Sequence, residues 1–265
     1  MGRLSLVILL MYVLVFKCFA QKTNVNFIAS NVENIAADNL GNLYLVSPEG
    51  QIKKLDSKLD SVGLFNNKRQ LGNIDYIDVS NPLKILVFYK NFSTILVLDR
   101  FMNIKAVVDL RKQNILQTSA IALSFDNFVW VYDELENKVK KVDENGNVLF
   151  ESTDLRLVFN DIKPIEKIID SNGKLYLYNK TQGLMQFDYY GALKKKFSFL
   201  NYNQVCVQQE KFYGFKDSTI EISNINLLTT SSKSYPIIQG FSKIVLQGNK
   251  LYFVKNNQLY TTSIN

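Results

Sequence analysis

Four turns of one kind recur along this chain at almost constant spacing, and that regularity restricts the fold more than any other property of the sequence. In each, a hydrophobic residue precedes an aspartate, with a glycine or asparagine a few residues later. They are Leu98-Asp99 with Asn103, Val142-Asp143 with Gly146, Phe187-Asp188 with Gly191, and a more degenerate Leu55-Asp56. The aspartates stand at 56, 99, 143 and 188, at steps of 43, 44 and 45 residues. Aspartate suits such a turn because its carboxylate accepts bonds from backbone amides two residues on, while glycine or asparagine tolerates the positive φ of a tight hairpin. A period of this length signals a repeated supersecondary unit, each burying its faces against its neighbours.

A second marker keeps step with the first. About 13 residues before each aspartate lies a strand-like segment, Asn42-Leu43-Tyr44-Leu45, Ile85-Leu86-Val87-Phe88, Phe128-Val129-Trp130-Val131 and Lys174-Leu175-Tyr176-Leu177. It recurs in Lys211-Phe212-Tyr213-Gly214-Phe215 and in Lys250-Leu251-Tyr252-Phe253, so the chain holds six units. A further β-like segment precedes each of them, and a short one follows several of the aspartate turns, as in Asn147 to Glu151 and Ala192 to Ser198. Four strands per unit and six units predict an all-β fold, a six-bladed β-propeller with four-stranded antiparallel blades. The last unit ends at Asn265 after three strands, whereas Asn24 to Ala29 forms an unassigned strand ahead of the first unit. That segment is expected to supply the missing outer strand of blade six and to hide its exposed edge. Blade five carries the faintest markers. A β-sandwich would not require near-constant steps, and no stretch of helical period appears beyond the first residues.

Composition agrees with strands: 47% hydrophobic, 12% aromatic and only four prolines among 265 residues. The first residues read differently. Arg3, an apolar run from Leu4 to Phe16, and Cys18-Phe19-Ala20 resemble a secretory leader cleaved before Gln21. The run falls short of the about 20 residues that span a bilayer. The bulky and charged Val15-Phe16-Lys17 before Cys18 does not suit a lipidation site. The expected organisation is therefore a leader over 1–20 and one propeller over 21–265, exported to the periplasm, the outer membrane surface or the medium, without a transmembrane segment in the mature chain. Cleavage removes Arg3 and Lys17 and lowers the net charge from +7 to +5. Cys206 would be the sole remaining cysteine, so no intrachain disulfide is expected, and its Val205-Cys206-Val207 setting points to an inert core thiol.

Two stretches carry a family likeness. Ile35-Ala36-Ala37-Asp38-Asn39-Leu40-Gly41-Asn42-Leu43-Tyr44-Leu45-Val46 with Gln51-Ile52-Lys53-Lys54-Leu55-Asp56 resembles an NHL-type repeat of the six-bladed propeller superfamily, which also includes SMP-30-like and TolB-like proteins. Val129-Trp130-Val131-Tyr132-Asp133 through Lys138 to Gly146 is similar. The resemblance implies a fold and not an activity, because the superfamily includes lactonases, lyases, receptor ectodomains and binding modules. The Ala-Gln cleavage point and the Asn-, Lys- and Ile-rich composition resemble exported proteins of Bacteroidota.

The chain has no histidine. That removes Ser-His-Asp and Cys-His nucleophilic catalysis, His-ligated zinc and His-dependent propeller lyases, and no catalytic residue or cofactor is expected. The alternative is a divalent-metal lactonase or hydrolase of SMP-30-like type, which the resemblance would place at the axial mouth with ligands from several blades. Glu33 could stand for its glutamate, but the corresponding positions offer Asp78, Ile121, Lys167, Gln204 and Lys243, and two lysines there would repel a cation. Asp99, Asp143 and Asp188 lack calcium-loop spacing and read as turn formers, and Lys194-Lys195-Lys196 as edge protection. Trp130 and the tyrosines at 44, 176, 213 and 252 read as core.

What remains is one face of the disc, formed by loops that join an outer strand to the next inner strand and by the middle hairpin of each blade. Lys68, Arg69, Lys90, Phe92, Arg111, Lys112, Tyr132, Asn179, Lys180 and Tyr202 fall there. This basic and aromatic set is compatible with an acidic protein or glycan of the cell envelope. Nucleic acid is not expected of an exported chain of modest charge, and the ring is expected to be monomeric alone.

Overall fold

The computed structural model describes residues 24–66, 71–159 and 161–264. The leader expected over 1–20 and the Lys68-Arg69 pair lie outside them. Among the described residues the strands form six four-stranded antiparallel sheets arranged in a ring, a six-bladed propeller. From the axis outward, blade one is Asn34–Ala37, Leu43–Val46, Gln51–Leu55 and Ser61–Asn66. Blade two is Tyr76–Asn81, Lys84–Tyr89, Thr94–Leu98 and Ile104–Asp109, and blade three is Thr118–Leu123, Val129–Asp133, Lys138–Val142 and Val148–Glu151. Blade four is Lys167–Ser171, Lys174–Asn179, Gly183–Phe187 and Leu193–Phe197, and blade five is Gln204–Gln208, Lys211–Lys216, Thr219–Asn224 and Thr230–Ser234. Blade six takes Lys243–Gln247, Lys250–Lys255 and Gln258–Ser263 from the end of the chain and Asn26–Ser30 from its beginning.

The closing strand pairs antiparallel with the last one, Asn26 opposite Thr261, Phe27 opposite Tyr260 and Ser30 opposite Gln258. It is the segment expected from sequence, shifted by one or two residues. The amide of Val32 donates to the carbonyl of Asn257 at 3.0 Å and carries the seam into blade one.

The aspartate turns are one structure repeated. In each, the Oδ1 of the aspartate accepts the amides two and four residues on: Lys58 and Asp60 for Asp56, Phe101 and Asn103 for Asp99, Asn145 and Asn147 for Asp143, Tyr190 and Ala192 for Asp188. The residue three positions on takes a left-handed φ, 71° at Leu59, 71° at Met102, 89° at Gly146 and 78° at Gly191. One expectation is corrected here: in blade two the left-handed residue is Met102, and Asn103 instead donates to Asp99. A register shift accompanies every one of these turns, the bulged geometry that a three-residue hairpin adopts. Blade five uses Asn224, whose side-chain oxygen accepts the amides of Asn226 and Leu227. Its turn has a different span, which is why the marker fades there.

The core lies between blades. Among the described residues six hydrophobic clusters each join neighbouring blades, for example Trp130, Tyr132 and Val139 of blade three with Leu175, Leu177 and Phe187 of blade four. Trp130, Tyr44 and Tyr176 are buried, as is Tyr252, while Tyr213 is half-buried. Polar ties cross the same seams. The Asp78 carboxylate accepts the amide of Leu123 at 2.8 Å, Trp130 Nε1 donates to Asp170 at 2.9 Å, and Gln204 Oε1 accepts the amide of Ile244 at 2.6 Å.

Candidate functional site: axial cavity and entry face

Each inner strand runs away from the face at which the chain enters its blade, so the loops entering a blade and the hairpin between its second and third strands share that face. The six inner strands stand around the axis and line an open cavity of about 490 Å³, within the range of about 300 to 1,000 Å³ usual for small-molecule sites. Asp78, Ile121, Lys167, Gln204 and Lys243, the positions that sequence placed near the axis, all line it. Lys167, Gln204 and Lys243 are each the first residue of their strand and therefore sit at the entry end.

The chemistry of this lining is set by which polar groups the fold has already used. Asp78 accepts the amides of Ser80 and Leu123. The carboxylate of Asp75 accepts the amide of Lys90 at 2.8 Å, and that of Glu166 the amide of Lys180 at 3.0 Å, so both cap middle hairpins. Asp38 takes the amides of Leu40 and Asn42 and the hydroxyl of Tyr44. Lys167 donates from Nζ to the carbonyl of Val205 at 2.8 Å. Burial pushes its ammonium below the ordinary lysine value, and the charge of Lys243 acts in the same direction against the opposing pull of Cys206 and Asp78. Burial also pushes the Cys206 thiol up to about 11, with Lys167 opposing, so this cysteine is protonated at neutral pH and a poor nucleophile.

A divalent cation does not fit this lining. Two ammonium groups line the entry end and the Asp78 oxygens are turned to backbone amides. Among the described residues no three histidine, cysteine, aspartate or glutamate side chains gather as a metal site. Glu33 is exposed and outside the cavity lining, with its own amide bonded to the carbonyl of Val46.

On the entry face the structure brings Lys90, Phe92 and Arg111 together. The Arg111 guanidinium lies 5.8 Å from the centre of the Phe92 ring and donates to the carbonyl of Asn91 at 2.5 Å. Lys90 reaches Glu134 at 3.6 Å. Asp109, whose side chain accepts the Arg111 amide, and Asn114, at φ 59°, bracket the short 3-10 turn that presents this arginine. Lys112 and Lys180 are exposed on the same face. Tyr132, Asn179 and Tyr202 are buried there and serve the scaffold. Tyr132 donates to Asn137, Asn179 caps the hairpin through the amides of Thr181 and Gln182, and Tyr202 packs over Gly214, where an added Cβ would come within 2.4 Å of its ring.

Sequence reasoning missed Tyr76 and Ser119 in the cavity lining and a cluster on the opposite face. In that cluster the Lys141 ammonium lies 4.3 Å from the Trp130 ring centre, beside Phe125 and Tyr189, and pairs with Asp126 at 2.7 Å. Tyr76 and Ser119 lie at the starts of inner strands, the same position that singled out Lys167 and Lys243. The residues of the Lys141 cluster come from two blades and share no sequence signal.

Searches for relatives give fold without family. No family model and no curated protein matches the chain. Among solved structures it is similar to a streptogramin B lyase, with a TM-score of 0.62 and 14% identity over 89% of this chain and 80% of the other. It is also similar to a catalytically inactive histidine-to-alanine form of the virginiamycin B lyase from Staphylococcus aureus, solved with quinupristin, at TM-score 0.60 and 13% identity over 89% and 82%. A propeller from a mitotic checkpoint complex aligns at TM-score 0.59 and 11% identity over 88% and 77%. Identities this low carry the propeller fold alone.

Proposed function

We propose that this chain is an exported, non-enzymatic binding or scaffold propeller that holds an acidic protein or glycan partner of the cell envelope against its entry face. The observation that carries the reading is the Arg111 guanidinium, exposed, held by the Phe92 ring and the Asn91 carbonyl, and without a carboxylate partner among the described residues. A cation fixed in this way loses little conformational freedom on meeting a carboxylate or sulfate, and planar guanidinium groups are favoured at such interfaces. Exposed Lys112 and Lys180 extend the charge. Export rests on the basic and apolar leader-like residues before Gln21. Known propellers of this shape include both a lyase whose histidine-to-alanine form is inactive and a member of a multiprotein complex. A chain without histidine is better matched to the second role.

The test is affinity capture from the native envelope with the purified propeller and with its Phe92→Ala and Arg111→Ala double variant. A partner retained by the native chain and lost by a folded double variant is expected. Equal recovery by both would remove the entry face from the reading. Tight stoichiometric uptake of calcium or magnesium in a calorimeter would restore the metal-hydrolase alternative.

A further inference from the structure

Each of the four acids that line the axial cavity accepts at least one backbone amide, whereas several of the cavity's donors have no partner among the described residues. Asp38, Asp75, Asp78 and Glu166 each accept the backbone amides described above. Lys243 Nζ has no hydrogen-bond or ion-pair partner among the described residues, and Lys167 uses one of its three N–H groups. The Tyr76 hydroxyl has no partner among the described residues, and Ser119 Oγ is a buried atom left without one. These four groups come from four different inner strands and line a single cavity. Buried unpaired polar groups are costly, and a cation between low-dielectric walls attracts an anion far more strongly than one in water.

We propose that the axial cavity binds a small hydroxylated carboxylic acid, with Lys243 and Lys167 holding the carboxylate and Tyr76 and Ser119 engaging ligand hydroxyls. The carboxylate is called for by two ammonium groups that have no ion-pair partner among the described residues; the lining acids keep their charge, and each has at least one oxygen bonded to a backbone amide. The ligand hydroxyls are called for by two protein hydroxyls that can each donate and accept. The cavity of about 490 Å³ admits a molecule of monosaccharide size. The site is independent of the entry-face partner. It involves neither Phe92 nor Arg111, and the two readings can fail separately.

Calorimetric titration of the full chain with galacturonate and citrate, beside galactose and inorganic phosphate, tests this. Both acids are expected to bind and galactose is not, because it lacks the carboxylate. The Lys243 side chain makes no hydrogen bond or ion pair among the described residues, so Lys243→Gln should melt with the native protein while losing at least about tenfold in affinity for both acids. Lys243→Arg should retain binding, and the Phe92→Ala and Arg111→Ala double variant should bind the acids as the native chain does. The proposal is overturned if neither acid binds at about 10 mM, if galactose binds as well as galacturonate, or if phosphate binds as tightly as the acids. Undiminished binding by a folded Lys243→Gln chain also overturns it.

Discussion

At the residue scale, the aspartate turns show how one side chain organises five backbone positions. The Asp99 carboxyl is held below the ordinary aspartate value of 3.8 chiefly by the amide of Asn103, and that of Asp188 chiefly by Lys194. At Asp143 partial burial pulls upward, and the bonds from the side chain and amide of Asn147 outweigh it. A carboxyl lowered on folding stabilises the native state above its unfolded value, and the contribution is lost as pH falls through the lower folded value. Asp143→Ala is therefore expected to cost at most about 1 kcal/mol at neutral pH, a small figure because the turn is solvent-screened. The gap to the native chain should narrow as the pH falls below 3.8, and urea denaturation across that range measures it. A gap that widens in acid would contradict the assignment. Gly183 shows the opposite kind of constraint. It sits at φ +85°, and a Cβ there would stand 2.2 Å from the carbonyl oxygen of Phe197, so the turn into the third strand of blade four accepts no side chain.

At the scale of elements, the closing strand is the piece whose loss has the largest expected effect. Asn26–Ser30 covers the free edge of Gln258–Ser263, and Ile28 and Ala29 pack into the cluster that joins blade six to blade one. The Phe27 ring meets the edge of Tyr260 with centroids 5.9 Å apart. Deleting residues 24–30 should lower the melting temperature by more than about 5 °C and open an edge competent to pair with another chain. Scanning calorimetry and light scattering read the two effects, and an unchanged melting temperature would show that the seam contributes nothing. The short strand Thr230–Ser234, exposed along its whole length and rich in serine, shows a different treatment of an edge, since it offers no apolar surface to a second chain.

For the whole molecule, the interblade core makes stability a property of the ring. Each hydrophobic cluster is shared by two blades, and the seams carry polar ties whose loss leaves a buried group unpaired. Asp78→Ala strands the amide of Leu123, which should cost about 1 to 3 kcal/mol. Because the ring is closed, the variant is expected to unfold in one transition at a lower urea midpoint, and two resolved transitions would show that blades two and three separate first. Much of this architecture is legible in the chain. The aspartate turns, the Leu-Tyr-Leu strands, the blade count and the closing segment are local or periodic features, and local backbone chemistry repeats wherever its residues repeat. The axial positions of Lys167, Gln204 and Lys243 follow from the same period. What the sequence could not show is which of these side chains the fold would use up. Asp75 and Glu166 line the axis yet cap hairpins, Tyr132, Asn179 and Tyr202 lie within a basic and aromatic stretch yet are buried, and the Lys243 ammonium has no partner among the described residues. Those outcomes depend on contacts between residues from different strands, and on the distance between neighbouring blades, so only the closed ring decides them.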